Sequence, residues 1–198
     1  GTLTLSGRND YTGGTSVAAG VLKTNYATAT SGAPYTISAG ALGTGNVAVA
    51  SGAAVDMNGY SLYNTQSIAG TGVSSSGALF NSTSSAVSIV GGTTLTGNAS
   101  VASEAGGALT YTGAIDGAYD LTIDTAGSAA DAALTLGGIV GGIAKPTALS
   151  ITSGSALVTV SSAVAVAGEV DIAGGDMVVN AAITTGTAAS GAGGVVLN

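Results

Sequence analysis

Carboxylates carry most of the potential chemistry of this chain: ten occur in 198 residues, eight of them beyond residue 100. Glu169 with Asp171, and Asp116 with Asp120, are close enough in sequence to serve as the acid and base of glycoside hydrolysis. That reaction needs two carboxyls roughly 5 to 9.5 Å apart beside a sugar-shaped groove. Nothing else in the sequence supports it. Histidine and tryptophan are absent and only three basic residues occur, so no partner tunes one carboxyl against the other and no indole offers a platform to a sugar ring. A serine nucleophile would lack an imidazole base, and G-x-S-x-G does not occur. Gly43-Thr44-Gly45 has the spacing of a phosphate loop without the lysine or the following helix that such a loop requires.

Metal chemistry is equally thin. With no cysteine, thiolate sites and disulfides are excluded. If Leu121 and Ile123 point inward, Asp120, Thr122 and Asp124 share the outer face, and Glu169 and Asp171 lie outside by the same parity. Calcium takes six to eight oxygens in a compact cage, and the calcium-binding G-G-x-G-x-D-x-U-x repeat is missing. The residues therefore read as a solvated acidic face, with weak divalent binding as the alternative. No catalytic, cofactor-binding or metal-ligating residue is assigned, no cofactor is expected, and the chain does not read as an enzyme.

The charge is uneven. Residues 1–100 hold Arg8, Lys23, Asp10 and Asp56 and are neutral overall, whereas residues 101–198 hold eight carboxylates and Lys145. Three cations cannot track a phosphate backbone, so nucleic acid is not an expected partner, and an anionic membrane surface is disfavoured too. Tyrosines supply seven of the eight aromatics and are the candidates for recognition: Tyr11, Tyr26, Tyr35, Tyr60, Tyr63, Tyr111 and Tyr119. Two of them lie in the segment from Lys23 to Gly40, which reads as a protruding loop. The tyrosines are candidates for adhesion, while a tyrosine packed along its own coil is the structural alternative; host or surface glycans are a further partner class for the segment. Thr2 with Thr4 and Thr110 with Thr112 fit a threonine ladder locally, but irregular spacing argues against a flat ice-binding lattice.

The elements that must carry these residues are short strands. Leu3-Thr4-Leu5, Val47-Ala48-Val49 and Val55-Asp56-Met57 alternate apolar and polar residues and are each closed by glycine within a few positions. Charged residues make up 7%, against about 25% in an ordinary domain, and glycine fills 34 positions. Large aliphatics are sparse, yet Leu121-Thr122-Ile123-Asp124 and Leu149-Ser150-Ile151-Thr152 alternate in a way that disorder would not produce. A mean hydropathy of +0.54 raises a transmembrane barrel as a second reading. The alternations are too short for strands of about 9 to 11 residues, and the aromatics too few for interfacial girdles. No apolar run reaches membrane-helix length, so this segment is not expected to insert.

Internal repetition follows. LTYTGAIDG from Leu109 leads to LTIDTAG at Leu121, and LTLGGIVGG from Leu134 leads to LSITSG at Leu149, offsets of 25 and 28 residues that signal a solenoid or another array. At that size the chain holds about eight coils. Inward side chains of stacked coils form ladders, for which Leu121, Ile123, Leu134, Leu136, Leu149 and Ile151 are the candidates. Glycine pairs such as Gly137-Gly138 read as corners, and Asn9, Asn46, Asn58, Asn64 and Asn98 as corner residues that bond backbone. From Ala156 onward the short strands lie closer together and their coil register is left unassigned.

The segments GTLTLSGRNDYTGGTSVAAGVL (Gly1 to Leu22) and ALGTGNVAVASGAAVDMNG (Ala41 to Gly59) resemble the autotransporter-associated β-strand repeat, most clearly over residues 1–70. The resemblance implies an all-β, right-handed parallel β-helix within the passenger of a large, secreted bacterial cell-surface protein, an adhesin-like stalk without catalysis. Residues 109–155 read as two further related units, and residues 1–198 as one solenoid segment without caps. The chain opens in Leu3-Thr4-Leu5 and closes in Val195-Val196-Leu197, and GGVVLN joined to GTLTLSG makes a passable strand, turn and strand. The expected partners are therefore further repeats of the same chain or identical copies end to end. A subunit of an extracellular fibre or sheath is the rival reading, and a polysaccharide-binding or polysaccharide-cleaving β-helix the third.

Overall fold

The structure, a computed structural model, describes residues 1–32, 35–127, 129–186 and 194–197. It is a parallel β-solenoid of about eight turns, and the described residues contain no α-helix. Three ladders of parallel strands build it. The first stacks Thr2–Leu5, Gly20–Thr24, Ala53–Asp56, Leu79–Asn81, the second half of Thr93–Ser103, Leu121–Asp124, Leu149–Thr152, Val170–Ala173 and Val195–Leu197. The second stacks Val87–Ile89, Leu109–Tyr111, Leu134–Leu136, Val158–Val160 and Met177–Val179. The third begins with Thr15–Val17, Val47–Val49 and Gln66–Gly70, continues through the first half of Thr93–Ser103 to Ile115–Asp116, and ends with Val164–Val166 on Ile183–Thr185. The eleven-residue strand Thr93–Ser103 belongs to two faces, with a register irregularity between Leu95 and Ala99 where it rounds the corner.

Because each strand pairs in parallel with its counterpart one coil away, like positions stack. One inward column reads Leu3, Leu22, Val55, Leu79, Val101, Ile123, Ile151, Ile172 and Leu197. Register partners lie at the offsets read from Leu109 and Leu121: Leu109 pairs with Leu134, Leu121 with Leu149, and Ile115 bridges Val140. All six candidate inward residues are buried. Coil length is not constant, since Leu3 to Leu22 spans 19 positions and Leu22 to Val55 spans 33. The longer coil contains the segment read as a protruding loop. Its described part is an antiparallel excursion, Ala29–Ser31 on Thr36–Ala39, anchored where Asn9 bridges Gly40; Ala33 and Pro34 lie outside the described residues.

At the corner between the second and third faces, three glycines occupy one column. A Cβ at Gly91 would run into the Asn64 carbonyl, one at Gly113 into the Gly91 carbonyl, and one at Gly138 into the Gly113 carbonyl. Backbone there follows backbone at the coil spacing, and no side chain fits between.

A second column near the end of the first face is polar and buried: Asn81, Ser103, Thr125 and Ser153. Most of these side chains fasten the turn that follows their own strand. Asn81 Nδ2 donates to the Thr83 and Ser85 carbonyls at 2.9 Å each, Ser103 Oγ to Gly107 at 2.6 Å and Ser153 Oγ to Ala156 at 2.9 Å. Local side-chain bonds of this kind replace the ladder bonds that a turning backbone loses.

Two substitutions test this construction. Leu136→Asp places a carboxylate between Tyr111 and Val160 in a closed column and is expected to cost several kcal/mol and abolish cooperative melting. Gly113→Ala is expected to cost roughly 1–3 kcal/mol by overpacking, whereas Gly52→Ala, with nothing near its Cβ but a positive φ of 82°, loses only what the left-handed backbone costs. Thermal denaturation followed by circular dichroism ranks them.

Candidate functional site

The sequence directs attention to the carboxylates, and stacking sets Asp124 and Asp171 beside uncharged rungs. Asp124 stacks between Ala102 and Thr152, and Asp171 between Ser150 and Val196, so neither has a carboxylate as its rung neighbour. Thr122 and Asp124 do face outward from Leu121–Asp124, as parity implies, with Asp120 exposed just before them. Several carboxylates bind backbone or side chains of a neighbouring turn or of their own. Asp116 Oδ1 accepts the Ile143 and Ala144 N–H groups at 2.7 and 3.1 Å, pinning the next coil's loop. Asp120 Oδ2 accepts Asn98 Nδ2 at 3.0 Å and its Oδ1 accepts the Thr147 hydroxyl, linking three successive coils. Asp124 Oδ1 accepts the Ala126 N–H at 3.0 Å in a local turn. Asp131 Oδ2 accepts the Ser155 N–H at 2.7 Å and its hydroxyl at 2.8 Å, which hold the Asp131 carboxyl below its ordinary value.

The corner asparagines are used in the same way. Asn64 Nδ2 donates to the Gly45 carbonyl at 2.8 Å, Asn9 Nδ2 to Ala41 at 2.8 Å and Asn58 Nδ2 to Thr24 at 2.9 Å. Among the described residues no group of three or more carboxylates converges as a metal site.

Tyrosines divide by location. Tyr111, a candidate for recognition, is instead fully buried in the lumen, where burial pushes its phenol up to about 12. Its hydroxyl meets Thr93 Oγ1 at 2.5 Å, and Gln66 Nε2 donates to the same Oγ1 at 2.6 Å, an internal polar knot joining the second and third faces. Nothing in the alternation of Leu109-Thr110-Tyr111 distinguishes it from an apolar rung. Tyr11 packs its ring on Gly43 and bonds Thr15. Tyr26 and Tyr60 help line a small cavity between the start of the excursion and the coil body. Tyr35, on the excursion, is 58% exposed and meets Tyr63 edge-to-face at 5.3 Å.

One cluster escaped the sequence reading. Val55-Asp56-Met57 suggests an outward, solvated Asp56, yet the side chain is only 4% exposed and lies 3.1 Å from Lys23 Nζ, its rung partner on the preceding coil. Asp56 Oδ1 accepts the Asn58 and Ser82 N–H groups at 2.8 and 3.2 Å, and Oδ2 accepts the Ser82 hydroxyl at 2.8 Å. Glu104 stands one coil beyond Ser82; burial first, and the Asp56 charge second, raise its carboxyl above the ordinary value. The signal was out of reach because Lys23 and Asp56 meet only through a coil longer by the whole excursion.

Residues 1–23 match the passenger-associated-transport-repeat. This repeat and the stacked parallel coils fit an autotransporter passenger, and a passenger-like structural segment is what the chain resembles. No curated protein and no solved structure matches it. The matched stretch contains the first rung pair of the passenger-like stack, Leu3 on Leu22.

Two titrations follow. Glu104 has a raised folded pKa, so its ionisation opposes folding. Glu104→Gln should raise the melting temperature at neutral pH, with the gain vanishing below pH 4.5, its ordinary value. Asp131 has a lowered one. Asp131→Asn should lower the melting temperature at neutral pH, the difference shrinking as pH falls below 3.8.

Proposed function

We propose that this segment is a non-catalytic stalk of an adhesin-like, extracellular surface protein, built by stacking coil on coil. The observation that carries this reading is the inward column from Leu3 to Leu197, unbroken across the described first-face strands while the surface carboxylates brace turns instead of converging. A rigid rod needs inter-coil bonding, and that is where the polar side chains of this chain are used. A secreted or surface location is what the passenger repeat suggests.

The partner is a further coil, from the same polypeptide or from an identical copy. Leu3 is 61% and Leu197 51% exposed, at opposite ends of one column. Stacking Val196 beneath Thr2 and Leu197 beneath Leu3 continues both the ladder and the side-chain rows. The joint GGVVLN extends onto Gly193 and Asn198, which lie outside the described residues. A self-stacking fibre is the second reading, favoured by this match of register. Tyr35 against Tyr63 is where a surface glycan would dock, because an exposed ring and hydroxyl project from the excursion there.

The stalk reading is tested by light scattering on the chain over a concentration series. End-to-end association is expected, weakened by Leu3→Lys and separately by Leu197→Lys, without loss of the melting transition. A monomer at every concentration with terminal strands protected from hydrogen exchange would refute coil addition. Turnover of any glycan that Glu169→Gln or Asp116→Asn abolishes would replace the stalk with an enzyme.

A further inference from the structure

The Lys23–Asp56 corner has more than an ion pair requires. Four donors converge on one buried carboxylate: two backbone N–H groups on Oδ1, and the Ser82 hydroxyl and Lys23 Nζ on Oδ2. We propose that Lys23 and Asp56 condense to an intramolecular amide, a covalent bond from Nζ to Cγ that staples two consecutive coils.

The arrangement matches the needs of acyl transfer atom by atom. Nζ stands 3.1 Å from Oδ2, beside the carbon it would attack. Negative charge that develops on Oδ1 in the tetrahedral adduct falls between the N–H groups of Asn58 and Ser82, preorganised donors of the oxyanion-hole kind. Ser82 Oγ accepts a hydrogen bond from Lys23 Nζ at 3.4 Å and donates one to Oδ2 at 2.8 Å, so its hydroxyl can relay a proton from the amine to the oxygen that departs. The balance closes without a co-reactant. Of the three Nζ protons, two leave with Oδ2 as water and one stays on the amide nitrogen, while the Cγ–Oδ2 bond breaks and the Cγ–Nζ bond forms.

The fold supplies what free lysine and aspartate lack. Rung pairing holds the two groups at a high effective concentration, and Phe80, the next residue in the Asp56 column, is buried beside the carboxylate, itself only 4% exposed. Glu104, whose carboxyl the Asp56 charge helps to raise, is released from that charge once Asp56 becomes a neutral amide. The inference stands apart from the stalk reading, although a staple between coils would suit a load-bearing rod.

Intact-mass spectrometry decides it. The chain is kept folded at mildly alkaline pH, then unfolded and weighed. The expected mass is that of the sequence less one water, with peptide mapping joining the Lys23 and Asp56 peptides. Lys23→Arg keeps the ion pair and should show the full sequence mass. Ser82→Ala should slow water loss by roughly a hundredfold, and an unchanged rate would overturn the proton route. A wild-type chain at full mass after prolonged folded incubation, or water loss that persists in Lys23→Arg, would overturn the amide.

Discussion

Parallel stacking at the coil spacing is the constraint on which everything else in this molecule depends. Each strand gives its backbone donors and acceptors to the coils on either side, so a residue's surroundings are set by its counterparts about 4.8 Å above and below. Identical or similar side chains then recur in columns: aliphatic through Leu22, Val55, Leu79 and Val101, absent through Gly91, Gly113 and Gly138, and polar through Asn81, Ser103, Thr125 and Ser153. Each column solves one local problem. The first removes apolar surface from water, the second lets backbone follow backbone at a corner, and the third bonds the turn through Asn81, Ser103 and Ser153.

The same constraint accounts for the scarcity of charge. A long array of inward rungs leaves only outward positions and turns for ionised groups, and there the carboxylates find backbone N–H groups and hydroxyls of neighbouring turns. Asp116 and Asp131 illustrate this: both accept N–H groups of the following coil, at Ile143 and Ser155. Such bonds cross from coil to coil and add to the ladders in resisting separation. Inside the lumen the Tyr111 hydroxyl and Gln66 Nε2 meet on Thr93 Oγ1.

Irregularity enters where a coil is lengthened. The excursion between Thr24 and Val47 adds residues without disturbing the rung register, because Lys23 still pairs with Asp56. Insertions of this kind leave the rod intact and place new side chains on its flank, Tyr35 among them. They also bring together groups that the chain separates widely, and the Lys23, Asp56 and Ser82 corner is the clearest instance.

Periodicity made the solenoid legible in the sequence. Alternation at Leu121 to Asp124 and Leu149 to Thr152, and the offsets of 25 and 28 residues, are local consequences of pleat and coil, and the structure reproduces them as register partners. The outward side of Thr122 and Asp124 followed from the same parity. What the sequence could not disclose is whatever depends on coils of unequal length. Asp56 reads as an exposed strand residue until the 33-residue coil brings Lys23 beneath it, and the alternation that turns Tyr111 into the lumen gives no sign of the Thr93 and Gln66 side chains gathered at its hydroxyl. Parity assigns a side chain to the inside or outside of its own strand. Which groups it then meets is decided by the neighbouring coils, and their alignment is fixed only when the whole stack closes.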